Sequence, residues 1–185
     1  MAEPKRILIL DTGKEWGGGT NSLLELLKRI DRSQFAFTAL FYVDYAKGDR
    51  SSIGGELAKL GIPAIFEPLH KWGALGKIAK ELVRTLFSFN RKARKRAVFW
   101  VEYWCRIKPA ARRLAALLHQ HQADLLYMNN QPSSNLEGLL AARESGIPVI
   151  QHARITNPLN PTEVAVANQT LERMICVSNG LRDYY

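Results

Sequence analysis

Cysteine is scarce: Cys105 and Cys176 are the only two among 185 residues, and neither belongs to a C-x-x-C pair. This excludes a disulfide framework and a cysteine-based zinc site, and a reducing compartment is expected. Long hydrophobic runs are missing as well. Near the N-terminus only residues 7–10 are continuously apolar, far short of a secretory core or of the roughly 20 apolar residues of a spanning helix. The expectation is a cytoplasmic chain. Acidic residues are in deficit, with 17 Asp+Glu against 26 Lys+Arg, a formal charge of +9. At 46% hydrophobic and 23% charged residues the composition excludes a disordered or fibrous chain. The length suits one hydrophobic core, so a single domain over residues 1–185 is expected.

Two well-known phosphate loops are also lacking. A P-loop needs glycine five residues before its Gly-Lys, but Leu8 stands there relative to Gly13, and Lys14 is followed by Glu15. The G-x-G-x-x-G dinucleotide fingerprint is broken, because the glycines fall at 13, 17, 18 and 19. Asp44 ends the second expected strand, where a ribose-binding acid would sit. A dinucleotide-binding oxidoreductase domain therefore stays open as an alternative.

What is present is a repeating grammar. Residues 6–10 form a short apolar run without alternation, the mark of a strand buried on both faces. The glycine-rich stretch 11–19 ends it, and Leu23, Leu24, Leu26, Leu27 and Ile30 then recur at helical spacing behind Thr20 or Asn21 as N-cap. Further strands are expected at 35–43, 64–66, 125–128, 149–151 and 174–177, with helices at 56–60 and 133–144 and a Gly-Ile-Pro step before two of the strands. This alternation predicts a doubly wound α/β domain, Rossmann-like, with a parallel sheet. The segment 72–122 holds no strand; a helical stripe of Leu75, Ile78, Ala79, Leu82, Leu86 and Phe89 precedes RKARKR at 91–96. Pro109 predicts a helix break near 107–108 and a fresh helix through Leu118.

In open parallel sheets ligands bind beyond the carboxyl ends of the strands, which singles out residues 11–21, 129–134, 151–157 and 178–180. Gly17, Gly18, Gly19, Thr20 and Asn21 open a helix and suit a phosphate, although three glycines also make an ordinary tight turn. His152 follows the strand at 149–151 with Arg154 beside it; it either meets a ligand hydroxyl or phosphate or bonds to loop backbone. Asn129, Asn130 and Gln131 suit a hydroxyl-rich ligand, or simply form a turn. His119 and His121, two apart at a helix end, point to opposite faces and cannot share a metal ion; His70 has no visible partner.

The loop GGGTNSLLELL, the paired GIP steps, DLLYMNN, the post-strand QH and the closing MICVSNGL, taken in order over about residues 5–182, resemble the N-terminal half of family 4 glycosyltransferases, retaining enzymes of GT-B fold. The resemblance implies a nucleotide-sugar donor, a saccharide or lipid-linked acceptor, no cofactor, no obligatory metal, and a role in cell-envelope or surface polysaccharide synthesis. It places Gly17, Gly18, Gly19, Thr20 and Asn21 against the donor diphosphate and the acceptor, with Thr-Asn replacing the family's usual Glu-Arg. It makes His152 the catalytic-site histidine near the transferred sugar, and Asn129, Asn130, Arg154 and Ser178 acceptor or sugar contacts. It also implies a second, donor-binding domain that supplies cations for the diphosphate; without it the chain is expected to be inactive.

The strandless segment reads as a basic helical insertion at about 73–108. Lys77, Lys80, Arg84, Arg91, Lys92, Arg94, Lys95 and Arg96 lie near Phe87, Phe89, Phe99, Trp100, Tyr103 and Trp104. Such a helix suits peripheral attachment to the anionic inner face of the cytoplasmic membrane, or its aromatics are core and its charges a solvated face. A non-catalytic polyanion binder is the remaining alternative; no nucleic-acid motif accompanies the charge.

Overall fold

The computed structural model describes residues 3–48, 51–67 and 73–185; His70 and Trp72 lie outside the described residues. Six strands, β1 (Lys5–Asp11), β2 (Phe35–Phe41), β3 (Ala64–Phe66), β4 (Leu125–Met128), β5 (Val149–Ala153) and β6 (Leu171–Cys176), form one sheet in the order β3-β2-β1-β4-β5-β6. All the pairings are parallel. The order turns back at β1, so the carboxyl ends of β1 and β4 flank the crevice where doubly wound sheets bind ligands.

The central strand explains the sequence pattern. Ile7 and Ile9 pack with Leu23, Leu24 and Leu27 of α1 (Gly18–Arg29) and Leu57 of α2 (Ile53–Lys59) on one face. Leu8 and Leu10 pack with Leu114 and Leu118 of α5 (Lys108–Gln120) and Leu139 of α6 (Leu136–Ser145) on the other. With helices on both faces, alternation has no function, and β1 is apolar residue after residue. Every residue of 136–142 in α6 is buried. That helix lies so close to the sheet that a Cβ on Gly138 would stand 2.6 Å from Met128 Sδ and 2.9 Å from Leu10 Cδ2.

Several boundaries differ from expectation, each for a local reason. The N-cap of α1 is Gly17, not Thr20 or Asn21. Thr20 Oγ1 is turned inward onto Tyr45 Oη at 2.9 Å, and Asn21 Oδ1 accepts from Trp16 Nε1, so neither side chain caps the helix. β2 stops at Phe41, and Asp44, three residues on, accepts the Gly54 N–H at 2.9 Å. Asp44 thus orders the approach to α2 rather than closing a strand as a ribose acid would.

No helix break occurs at 107–108. α4 (Arg91–Glu102) runs into a π turn at Tyr103–Ile107 and on into α5 with helical dihedrals throughout the join. Pro109 has no N–H and its ring crowds the carbonyl four residues back; the wider turn ahead of it absorbs the mismatch without ending the helix. β5 extends through His152 and Ala153, which pair with Ile175 and Cys176 of β6. An unforeseen helix, α7 (Pro161–Thr170), begins on a capping box of Asn160 and Glu163 with Pro161 at its first turn. α8 (Asn179–Tyr184) closes the described chain.

Within the basic segment, α3 (Ala74–Leu86) is covered by α4 alone among its principal neighbours. Its apolar stripe faces outward: Leu75 is 83% exposed and Phe89, just past the helix, 84%, and Ile78, Leu82 and Leu86 are exposed between them. The aromatics divide. Phe99 and Tyr103 pack against the core, whereas Trp100 and Trp104 are exposed, the latter with Lys108 Nζ 4.3 Å above its ring.

Candidate functional site

The carboxyl ends of β1, β4 and β5 and the start of α1 meet around one buried carboxylate. Asp11, the last residue of β1 and only 3% exposed, accepts from Gly13 N at 2.7 Å, Asn129 Nδ2 at 2.7 Å and Asn130 Nδ2 at 2.9 Å. Asn129 in turn accepts from the Arg154 guanidinium at 2.6 Å through Oδ1. A carboxylate can only accept and a guanidinium can only donate, so the two partners fix which way the Asn129 amide points. At 1% exposure Asn129 is a relay between Asp11 and Arg154, not a side chain open to a ligand.

His152 is held from β4. Tyr127 Oη lies 2.6 Å from its Nδ1, and the Arg154 guanidinium lies 3.3 Å from the same nitrogen. Because arginine has no acceptor, Nδ1 is the acceptor and Tyr127 donates to it. Burial, assisted by the Arg154 charge, pushes the imidazole down to about 4, and burial pushes the Tyr127 phenol up to about 12. At neutral pH the ring is therefore uncharged with its proton on Nε2, and that N–H is what His152 can offer a ligand. A neutral donor of this kind suits a sugar hydroxyl; it is not set up as a cation.

The structure places the sequence-derived residues differently. Gly17, Gly18 and Gly19 begin α1 beside Arg154, whose Cδ would stand 3.2 Å from a Cβ on Gly19. A helix start leaves the N–H groups of Gly18, Gly19 and Thr20 without intrahelical acceptors, and the positive end of the dipole lies there. Asp11, Tyr127, His152 and Arg154 join them on the same crest, with Asn130 half-buried at its edge. Thr20 contributes backbone only, since its side chain bonds Tyr45, while Asn21 is exposed. Ser178 caps α8, accepting the Leu181 N–H at 3.2 Å, beyond β6.

Tyr127 was not among the sequence candidates, and Asp11 fell within the segment 11–21 without being named for a role. Tyr127 sits inside an apolar strand and Asp11 ends one, and only the parallel register that sets Ile9 beside Tyr127 and Leu10 beside Met128 brings β1 and β4 into line. A polar residue closing an otherwise apolar strand, as Asp11 does, was the available signal. Gln151 lies beneath the crest, fully buried, with its amide donating to the Asn130 carbonyl. Two polar atoms here, Arg154 Nε and Gln151 Oε1, are buried and have no hydrogen-bond partner among the described residues. Among the described residues no three His, Cys, Asp or Glu side chains converge as metal ligands.

No protein-family model matches the chain, and no curated protein matches it in sequence. Its fold is that of a solved glycosyltransferase from Rickettsia africae, with a TM-score of 0.57 at 11% identity, covering 98% of this chain. The chain spans 39% of that protein's length. Phytolacca americana UGT2, solved with UDP-2-fluoroglucose and pterostilbene, aligns over 84% of this chain and 32% of its own at 14% identity and TM-score 0.46. Saccharopine dehydrogenase (L-Glu forming) from Saccharomyces cerevisiae aligns over 88% and 24% at 10% identity and TM-score 0.41. The last two similarities are too low to bear on the fold. The first defines the class: a Rossmann-like α/β domain built as in a glycosyltransferase.

Proposed function

We propose that the chain is the acceptor-side, N-terminal domain of a retaining glycosyltransferase of GT-B fold, of the family 4 type. It would move a sugar from a nucleotide-sugar to a saccharide or lipid-linked acceptor during cell-envelope or surface polysaccharide synthesis. The observation that carries this reading is the open start of α1. A Cβ on Gly17 or Gly18 would meet nothing within 4 Å, so packing within the chain does not demand glycine there. A ligand approaching the backbone closely does. The Arg154 side chain packed beside Gly19 and the neutral His152 at the same crest add a positive charge and a hydroxyl contact.

In this reading the amides of residues 18–20 steady the departing diphosphate while His152 Nε2–H holds a hydroxyl of the transferred sugar. Most of the charge stabilisation comes from cations of a second Rossmann-like domain. No cofactor and no obligatory metal enter. The dinucleotide alternative is disfavoured because Asp44 is engaged with Gly54.

The test is amide NMR of the labelled chain titrated with inorganic pyrophosphate, UDP-glucose and GDP-mannose. Shifts confined to Gly17, Gly18, Gly19, Thr20 and Arg154, with no turnover of either nucleotide-sugar, are expected. If those amides stay still at millimolar ligand, or if the chain alone transfers sugar, the reading fails.

A second feature belongs to the same proposal. Lys77, Arg84, Arg91, Lys92, Lys95 and Arg96 are exposed around the outward apolar stripe of α3, with Lys80 and Arg94 half-buried among them. Apolar and basic surface combined in this way fits an anionic lipid surface, where a peripheral enzyme would meet a lipid-linked acceptor. Trp100 and Trp104 would lie at its border. No helix among the described residues is long and apolar enough to cross a membrane.

A further inference from the structure

A cavity of about 380 Å3 opens beside the β1 end, on the sheet face of Ile107 and Leu136, whereas Tyr127, the partner of His152, belongs to the other face. Its volume falls within the about 300 to 1,000 Å3 usual for small-molecule sites. It is lined by Glu102, Arg106, Glu137, Glu163, Ser134 and Phe99, and Thr12 and Lys14 of the β1–α1 loop form its rim. Thr12 follows Asp11 directly and Lys14 lies three residues after it, so the cavity and the His152 crest share one loop as a wall.

Three features bring polar groups to this cavity from three separate elements. Glu137 is 3% exposed on the first turn of the most buried helix, where an apolar residue would cost nothing. Tyr42 Oη donates to it at 2.7 Å, and burial pushes the carboxyl up, toward the uncharged form. Next, the backbone adopts a π turn at Tyr103–Ile107, and Arg106, within that turn, reaches the cavity while bonding Glu102 at 3.0 Å. Single π turns inside α-helices are uncommon and concentrate at functional sites. Lastly, Glu163 of the α7 capping box faces the same space from another element, and burial pushes it up as well.

Carboxyl groups, hydroxyls, a guanidinium and the Phe99 ring line the same cavity. Sugar hydroxyls both donate and accept, so a pyranose can bond to this mixed lining, and its C–H face can lie on Phe99. Lys14 and Arg106 stand against the carboxyl groups of Glu102, Glu137 and Glu163, so the lining has no excess of positive charge to favour a phosphate. The cavity thus differs from the strongly basic surface elsewhere on the chain.

We propose that the cavity between the β1–α1 loop, the π turn and the starts of α6 and α7 is a saccharide subsite that takes an uncharged sugar residue of the acceptor, with Arg106 and Glu102 as its specificity-determining pair. This rests on the glycosyl-transfer reading above. An acceptor reaching from this cavity over Thr12 would present its next hydroxyl to the His152 crest.

The test is NMR titration of the full 185-residue chain with methyl glucoside, methyl mannoside and glucose 6-phosphate, read at the Arg106 Nε–H and at the amides of Lys14, Ser134 and Glu163. A neutral glycoside is expected to shift these signals at millimolar concentration and to bind more tightly than glucose 6-phosphate. Arg106→Met should weaken it by about tenfold, equivalent to about 1.4 kcal/mol, and Arg106→Lys should restore part of the loss. The pyrophosphate shifts at residues 17–20 should be unchanged in both variants, which shows that they are folded. Shifts outside the cavity only, tighter binding of the phosphate, or an Arg106→Met variant that binds like the parent would each overturn the proposal. If the glycoside maps to the cavity while pyrophosphate and nucleotide-sugars leave residues 17–20 unmoved, the saccharide subsite stands and the transferase reading fails.

Discussion

His152 shows how much a single side chain depends on what is folded around it. Its ring is uncharged at neutral pH because burial, first, and the Arg154 charge, second, disfavour the proton, bringing it to about 4 from 6.5. Between those two values the folded chain binds fewer protons at this position than the unfolded chain. The stability that depends on the neutral ring is therefore fully present above about pH 6.5 and is lost as the pH falls toward 4. An imidazole NMR titration should give a midpoint near 4, and Arg154→Gln should raise it by less than the whole offset because burial comes first. A midpoint near 6.5 in the parent would show a solvated ring and remove the basis for assigning its proton to Nε2.

At the scale of elements, α6 has the tightest constraint. It lies directly over the β1–β4 pair whose carboxyl ends carry the site, and Gly138 is the point of closest approach. Gly138→Ala would drive a methyl group into Met128 and Leu10 and push the helix off the sheet. Overpacking of this kind costs about 1 to 3 kcal/mol, measurable as a lowered urea midpoint. The Asp11–Asn129 bond should loosen with it. An unchanged midpoint would mean that α6 sits farther from the strands than described. α1 follows a different logic, since its first turn is open rather than crowded, and the two glycine positions are alike in sequence but opposite in cause.

Across the whole molecule, charge and exposed apolar surface coincide on one side strip. The formal charge of +9 is not spread evenly, because the hairpin of α3 and α4 carries RKARKR next to the outward stripe of Leu75, Ile78, Leu82, Leu86 and Phe89. Co-sedimentation should be stronger with phosphatidylglycerol vesicles than with phosphatidylcholine vesicles, should weaken with salt, and should be lost in Ile78→Glu/Leu82→Glu. Equal pelleting with both lipids, or retention by the double variant, would show that this face has another role. The two halves of the proposal are connected by geometry: α4 continues through the π turn into α5, so the element bearing RKARKR also carries Arg106 into the saccharide cavity.

The class of fold was legible in the residues alone. Unbroken apolar runs, glycine loops and Gly-Ile-Pro steps are local consequences of parallel strands covered on both faces, so the α/β alternation and β3, β4 and the start of β5 were legible from residues alone. Gly17, Gly18 and Gly19, His152 and Arg154 were legible as candidates for the same reason, since they follow or end strands. α7 was missed although its Asn160-Pro161-x-Glu163 start is a local signal. The rest depended on contacts between residues far apart in the chain. Asp11 and Tyr127 join the site through strand register, and Asn129 became a buried relay because two strands 118 residues apart deliver Asp11 and its amide to one point. Thr20 turned inward to meet Tyr45. Periodicity likewise could not tell an exposed apolar stripe from a buried one; the face of α3 is determined by what packs against it, which is a property of the assembled fold and not of the helix's own sequence.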